Sequence, residues 1–192
     1  MNIANVGVCR ATPSHKGNDC TVNHIDTKFR GRVITVNVER VTLPNGETAD
    51  YEIIHHPGGA AIVAIDDQQR VCLVRQFRPA AAGWVWELPA GRLEPGEPPA
   101  HTAQRELVEE AGCEATQWRE LGTILSSPGV FDERIHLYEA RGLRHVPTRH
   151  ERHEVLEVHW IPLQDAVERA VEGGITDSKT IVGLLRATSG KA

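Results

Sequence analysis

The sequence lacks an apolar run that approaches the roughly 18 consecutive residues of a membrane-spanning helix. It also lacks a basic excess, because 21 Lys and Arg stand against 26 Asp and Glu, for a formal net charge of −5. No basic stripe of the kind that binds a nucleic-acid polymer is present. We therefore expect neither a membrane nor a nucleic acid as partner, and an acidic protein that binds an anionic ligand must bind a cation as well.

Cysteine is scarce, and the four cysteines form no CxxC pair. Cys72 and Cys113 lie in apolar patterns, which predicts buried thiols. A disulfide between Cys9 and Cys20 is an open alternative for the other two. Because the N-terminus has no basic start followed by a long apolar segment, we expect no secretory signal and a reducing, cytoplasmic location.

The first part of the chain predicts an arm followed by a hairpin. Residues 1–28 are polar and weakly patterned, which predicts an irregular arm. Residues 31–43 alternate apolar and polar side chains, Pro44–Gly46 is a turn signal, and residues 47–56 return as a second strand. We therefore predict that residues 1–56 are an arm and a β-hairpin that precedes a second domain, residues 57–192.

The remainder mixes strands with helices. We predict strands at residues 60–66, 71–77, 117–125, 134–140 and 154–161, and helices at residues 163–173 and 178–188. With 192 residues, 40% of them hydrophobic, the chain is large enough for a sizeable core. Strands and helices around one core indicate a layered α/β fold.

Most of the chemistry lies in the stretch Gly91–Cys113, GRLEPGEPPAHTAQRELVEEAGC. Its second half predicts a helix in which Ala103, Leu107 and Ala111 form one stripe that faces the core. Gly112 is suited to end that helix in the left-handed conformation.

Three carboxylates crowd the flank of this helix. Glu106, Glu109 and Glu110 are three or four residues apart, a spacing at which like charges repel. One interpretation is a solvated acidic face. The other is a site for a hard divalent cation, because Mg²⁺ binds carboxylate and carbonyl oxygens and shares its ligand shell with substrate phosphates.

The complete pattern favours the second interpretation. Gly91, Glu97, Arg105-Glu106, Glu109-Glu110 and Gly112 match the Nudix box at every position. By chance such a match is expected on the order of one time in a million. The chain therefore resembles the Nudix hydrolases.

Segments beside the box resemble the ADP-ribose pyrophosphatase branch of that family. They are Val74–Pro79 (VRQFRP), Glu87–Gly91 (ELPAG) and Ser127–Gly129, in which Pro128 occupies the position of the marker proline of the branch. Residues 154–158 and 177–180 are similar too. The resemblance implies a Nudix-like α/β/α sandwich with a mixed sheet, plus a small N-terminal antiparallel β-sheet that takes part in a homodimer.

The resemblance also implies roles for single residues. Metal ligands are implied at four positions, with Mg²⁺ as the ion and Mn²⁺ able to replace it: the Ala90 carbonyl, Glu106, Glu109 and Glu110. Positions that shape the box are implied at Gly91, Glu97, Arg105 and Gly112. Contacts to the substrate are implied at Arg78, Glu87 and Pro128.

The general base is implied to be a loop carboxylate. Glu154 matches the position proposed in some relatives, Glu151 is its rival, and Glu109 is the alternative within the box. Trp84 and Trp86 are candidates for stacking on a base, although aromatic residues at alternate positions are more often core.

The implied activity is Mg²⁺-dependent hydrolysis of the pyrophosphate bond of ADP-ribose, or a similar nucleoside diphosphate sugar, to AMP and ribose 5-phosphate. Within the family, the alternatives are GDP-mannose, a UDP-sugar, NADH or an oxidised nucleotide. A different class of function is a nucleotide-sugar sensor without turnover, against which the intact set of box glutamates argues.

Overall fold

The computed structural model describes residues 20–148 and 155–189. The chain divides into two compact units. The first is Met1–His56 with Ser127–Glu133, and the second is Pro57–Ser126 with Arg134–Ala192. No helix in the described ranges has the length and apolar character needed to cross a membrane.

The first unit contains an antiparallel sheet in the order β1-β2-β3. Its strands are β1 (Thr21–Arg30), β2 (Thr35–Thr42) and β3 (Thr48–His55). The hairpin predicted from the turn signal is confirmed: it is formed by β2 and β3, and Gly46 has a positive φ of 86° between them.

The prediction of an irregular arm is wrong from Thr21 onward. β1 pairs with β2 from Thr21 opposite Thr42 to Arg30 opposite Thr35. Nearly all of β1 is exposed, with Val22 as its buried residue, so it shows no apolar alternation. Its backbone hydrogen bonds to β2 hold the strand, and such tertiary pairing leaves no periodic pattern in the sequence.

The segment Ser127–Glu133 is bound to this sheet by polar contacts. Nδ1 of His55 lies 2.7 Å from Oδ2 of Asp132, and its Nε2 lies 2.7 Å from Oε1 of Glu39. The backbone N–H of Ile54 donates to the carbonyl of Val130 at 2.7 Å. These contacts anchor the loop that carries Pro128 within the first unit.

Within the described residues, the second unit contains seven strands in two sheets. One sheet has the order β10-β5-β6, and the other has the order β7-β4-β9-β8. All pairs in them are antiparallel except β4 with β9, which is parallel. The strands are β4 (Gly59–Ala64), β5 (Arg70–Arg78), β6 (Gly83–Glu87), β7 (Ala90–Arg92), β8 (Cys113–Leu125), β9 (Arg134–His145) and β10 (Leu156–Pro162).

Helices cover both faces of β4, whose six residues are all buried. The helices are α1 (Pro99–Ala111), α2 (Leu163–Val171) and α3 (Ser178–Ser189). Ala60, Ile62 and Ala64 pack in one cluster with residues of α1, whereas Ala61 and Val63 pack in a second cluster with residues of α2 and α3. A strand buried on both faces is apolar throughout, and the predicted α/β sandwich with a mixed sheet is confirmed.

Helix α1 has the predicted core face and C-terminus. Ala103, Leu107 and Ala111 are buried in the cluster beneath it. Gly112 has a φ of 61°, and its N–H donates to the carbonyls of the last helical turn. The helix therefore ends in a left-handed cap and places its acidic flank beside β7.

The cysteines follow the prediction in part. Cys72 and Cys113 are free and buried, as expected. Cys20 is disulfide-bonded, which favours the pairing alternative, whereas Cys9 lies outside the described residues.

Candidate active site

The turn from β6 through β7 lies directly against the acidic flank of α1. A Cβ atom on Gly91 would lie 1.8 Å from Oε1 of Glu106. That distance is far below a normal contact, so any side chain at this position would displace the Glu106 carboxylate. Glycine at this position therefore lets Glu106 lie directly against the turn.

Glu110 binds the same turn from one helical turn further along α1. Its Oε2 accepts a hydrogen bond of 2.8 Å from the backbone N–H of Ala90. Glu110 is buried, with 4% relative exposure, and Glu106 is 8% exposed. Two buried carboxylates beside the same dipeptide are costly unless cations or hydrogen bonds compensate them.

Arg105 supplies part of that compensation. Its Nη1 donates to Glu106 at 2.6 Å and to Glu109 at 2.9 Å. Its Nε and Nη2 donate to Glu97 at 3.2 and 3.1 Å, and Nη2 also donates to the carbonyl of Arg92. A single guanidinium therefore joins the loop before α1 to the helix itself.

Glu97 is the anionic end of this brace. Hydrogen bonds from Arg105 and from the Thr102 hydroxyl lower the pKa of Glu97 to about 2. The same contacts raise the pKa of Arg105, so both groups remain charged. The role of Glu97 and Arg105 in shaping the box stays a prediction, which these contacts support.

The donor set beside Gly91 fits a hard divalent cation in its chemistry. Carboxylates of Glu106, Glu109 and Glu110 and the Ala90 carbonyl are oxygen donors of the kind such ions prefer. In the described part of the chain, no group of three His, Cys, Asp or Glu side chains converges as metal ligands do. Arg105 instead holds Glu106 and Glu109 through its Nη1.

Arg78 and Glu87 form a two-point ion pair close to the box. Nε and Nη2 of Arg78 donate to the two carboxylate oxygens of Glu87 at 2.8 and 2.9 Å. Glu87 is 3% exposed. Burial acts to raise the pKa of Glu87, but Arg78 and Lys179 outweigh it, so the pKa is lowered and the group stays ionised. The structure thus gives Glu87 cationic partners within the protein.

Lys179 also belongs to this site, although it was not among the residues predicted from the sequence. Its Nζ donates to Oε2 of Glu87 at 2.6 Å and to Oδ1 of Asp177 at 2.9 Å. Oδ2 of Asp177 also accepts from the backbone N–H and the hydroxyl of Thr180, and so caps α3. An Asp three residues before a Thr at a predicted helix start is an N-cap signal, but nothing local pointed to Glu87.

The other predicted residues are not part of these contacts in the described ranges. Pro128 belongs to the first unit, and Glu151 and Glu154 lie outside the described residues. Trp84 is 42% exposed and contacts Phe77 edge to face. Trp86 packs against His159 and the core, in agreement with the core alternative for that residue.

The chain is similar to known proteins in sequence and in fold. Residues 55–180 match the NUDIX domain. The chain is 40% identical over 158 residues to the methanol dehydrogenase activator of Bacillus methanolicus, covering 81% of this chain and 85% of the relative. It is 37% identical over 163 residues to the ADP-ribose pyrophosphatase of Mycobacterium tuberculosis, covering 83% and 79%. In fold it is similar to a crystal structure of an ADP compounds hydrolase, with a TM-score of 0.76 at 21% identity over 93% of this chain and 96% of that one.

Proposed function

Because the chain belongs to the NUDIX family, we propose that it hydrolyses the pyrophosphate bond of ADP-ribose, or of a similar nucleoside diphosphate sugar. The products are AMP and ribose 5-phosphate. The relative from Mycobacterium tuberculosis carries the name of that activity and aligns over most of both chains. The substrate is thus a small molecule with two linked phosphates.

The observation that carries the proposal is the pair of buried carboxylates at the turn. Glu106 lies against Gly91, and Glu110 accepts a hydrogen bond from the backbone N–H of the preceding residue, Ala90. A sensor that only binds a nucleotide sugar has no need for buried acids at this turn, because they repel an anionic ligand. A hydrolase that works with a divalent cation does need them.

We propose Mg²⁺ as the ion, with Mn²⁺ able to replace it. Glu106, Glu109, Glu110 and the Ala90 carbonyl would hold it. A divalent cation at this place neutralises diphosphate oxygens and acidifies water. Arg105 and Glu97 keep the loop and α1 in register, so that carboxylates and carbonyl stay on one side of the turn.

Arg78 is proposed to bind the diphosphate. Its guanidinium gives Nε and Nη2 to Glu87, and among the described residues no hydrogen bond occupies Nη1, which we assign to an oxygen of the substrate. Guanidinium groups pair with phosphate oxygens through directed N–H donors. This contact orients the diphosphate but transfers no proton.

The proton is proposed to go to Glu154, with Glu151 as the rival base. A water oxygen attacks one phosphorus as the carboxylate takes the proton from that water. The bond between the attacked phosphorus and the bridging oxygen breaks, and the second phosphate leaves with that oxygen. No covalent enzyme intermediate is needed.

The direct test is product analysis. Purified protein incubated with Mg²⁺ and ADP-ribose should release AMP and ribose 5-phosphate in equal amounts, detected by ion-exchange chromatography. GDP-mannose, UDP-glucose, NADH and an oxidised nucleotide should be run in parallel, and the preferred substrate is the one with the highest kcat/KM. Binding of ADP-ribose without turnover of any of these compounds would refute the hydrolase and favour the sensor.

We also propose a homodimer and a cytoplasmic location. The free thiols of Cys72 and Cys113 suit a reducing compartment, whereas the disulfide at Cys20 would be reduced there. Cell fractionation with an antibody against the protein checks the location, and recovery in a secreted fraction would contradict it.

A further inference from the structure

The side chain of Arg78 spans several residues of β5 to reach Glu87. Arg78 pairs with Gly83, whereas Glu87 pairs with Val74. The two backbone positions are therefore four residues apart along β5, which is about 13 Å. The Arg78 side chain must extend back along the strand to reach Glu87, so the far end of this long side chain is fixed by Glu87.

The orientation of the guanidinium follows from the same contact. Two parallel hydrogen bonds, at 2.8 and 2.9 Å, align the plane of the Arg78 guanidinium with the plane of the Glu87 carboxylate. Any rotation of the carboxylate therefore rotates the guanidinium with it, including the Nη1 group that remains for the substrate.

Lys179 is a second cation that holds the Glu87 carboxylate in place. Its Nζ shares Oε2 of Glu87 with Nη2 of Arg78, at 2.6 Å. Lys179 is itself largely buried, with a side-chain exposure of 13%, and its second bond is to Asp177. The charges of Arg78, Glu87, Lys179 and Asp177 thus alternate in sign along a chain of hydrogen bonds. Because Lys179 lies in α3, this chain connects Glu87 to the helix.

The start of α3 is rigidly placed, which fixes the root of Lys179. The Thr180 hydroxyl accepts a hydrogen bond of 2.8 Å from the backbone N–H of Leu88 and donates to Asp177. One turn later, a Cβ on Gly183 would lie 2.7 Å from a side-chain carbon of Leu88. Helix α3 therefore packs in close contact with the end of β6, one residue beyond Glu87.

We propose that Lys179 is a positioning residue for substrate binding, which fixes the Glu87 carboxylate and through it the Arg78 guanidinium that binds the diphosphate. This role rests on the proposed function. It differs from direct contact with the substrate, because the effect of Lys179 passes entirely through Arg78.

The test is a double-mutant cycle in steady-state kinetics with ADP-ribose and Mg²⁺. Lys179→Met should raise KM about tenfold and change kcat little, because it loosens a binding group without touching the reacting atoms. Lys179→Arg, which keeps a donor of the same charge, should restore most of the affinity. The matched control is Arg144→Met, which should leave KM unchanged. Arg144 lies on β9 and forms an exposed ion pair with Glu114 on β8.

Combining Lys179→Met with Arg78→Ala shows whether Lys179 affects substrate binding through Arg78 or independently of it. If Lys179 acts through Arg78, then Lys179→Met should add nothing to KM once Arg78 is gone. The same loss in both backgrounds would overturn the proposal, as would an unchanged KM in Lys179→Met alone. Should Lys179→Met fold poorly in a thermal unfolding assay, Lys179→Gln takes its place in the cycle.

Failure of the proposed function is a separate result. It appears in the wild-type protein as absence of turnover, whereas failure of this inference appears as normal wild-type turnover with an additive cycle.

Discussion

Glu106 and Glu110 are the residues on which the proposed chemistry depends most. They are the two buried acids of the box, and a divalent cation bound beside Ala90 would compensate their charge. We expect Glu106→Gln and Glu110→Gln each to lower kcat by about 100-fold or more, because each removes charge from the metal site. Steady-state kinetics with Mg²⁺ measures this.

The control for these variants is Glu114→Gln, because Glu114 is exposed on β8 and pairs with Arg144. It should retain wild-type kcat. Full activity of the wild-type protein in excess EDTA would contradict the metal role of the box.

The general base is the second prediction at the residue scale. We expect Glu154→Gln to lower kcat by about 10² to 10⁴, the usual contribution of a general base, with folding and metal affinity nearly intact. Glu151→Gln should cost much less. A pH–rate profile of kcat measures the loss of the general base, and isothermal titration with Mn²⁺ measures the metal affinity.

Two results would change that assignment. If Glu151→Gln is the damaging substitution, the base lies three residues upstream. If neither loop variant matters, Glu109 in the box is the remaining carboxylate of the proposed set.

At the scale of elements, the loop before α1 and the helix are joined by the contact between Glu97 and Arg105. The pKa of Glu97 is lowered to about 2 from an ordinary 4.5. A carboxyl group with a depressed folded-state pKa contributes stability that is present above about pH 4.5 and is lost as the pH falls toward 2. The brace should therefore weaken only in acid.

We expect Glu97→Gln to be less stable than the wild-type protein at pH 7, and the difference should shrink below about pH 4.5 and vanish near pH 2. Urea denaturation across this pH range measures the free energy of unfolding. Glu94→Gln, at an exposed position in the same loop, is the control variant. A difference that stays constant from pH 7 to pH 2 would show that the Glu97 charge is not the source.

At the scale of the whole molecule, the N-terminal sheet exposes large apolar side chains. Ile25, Phe29, Val33 and Tyr51 are 38–55% exposed on or beside its strands. An exposed apolar surface of this kind is typical of an interface. These observations support the proposed homodimer.

We expect a dimeric mass by light scattering at micromolar concentration. Deletion of residues 1–56 should abolish the dimer, and the double variant Ile25→Ser/Phe29→Ser should weaken it strongly. Val171→Ser, which removes a 71% exposed apolar side chain from α2, is the matched control and should leave the mass unchanged. A monomeric wild-type protein would refute the assignment.

The box and the helix that carries it were predictable from the sequence. The box glutamates, the apolar stripe and the cap lie within the single stretch Gly91–Cys113, and helix periodicity relates neighbours three and four residues apart directly to a face. Strand β4 and the segment Val71–Val74 of β5 were predictable for a similar reason, since a strand segment buried on both sides is apolar. The family resemblance added roles to positions that the local pattern had already grouped.

The contacts between segments that are distant in the chain could not be predicted from the sequence and are known only from the tertiary structure. Lys179 and Glu87 are 92 residues apart in the chain, and neither carries a local signal for the other. β1 exists because β2 offers it backbone hydrogen bonds, which leave no trace in side-chain pattern. Contacts within one element repeat with the period of that element, so they leave a periodic pattern of residue types in the sequence. Contacts between elements depend on how separately formed faces pack, and this is why the arrangement around Arg78 emerges only from the folded chain.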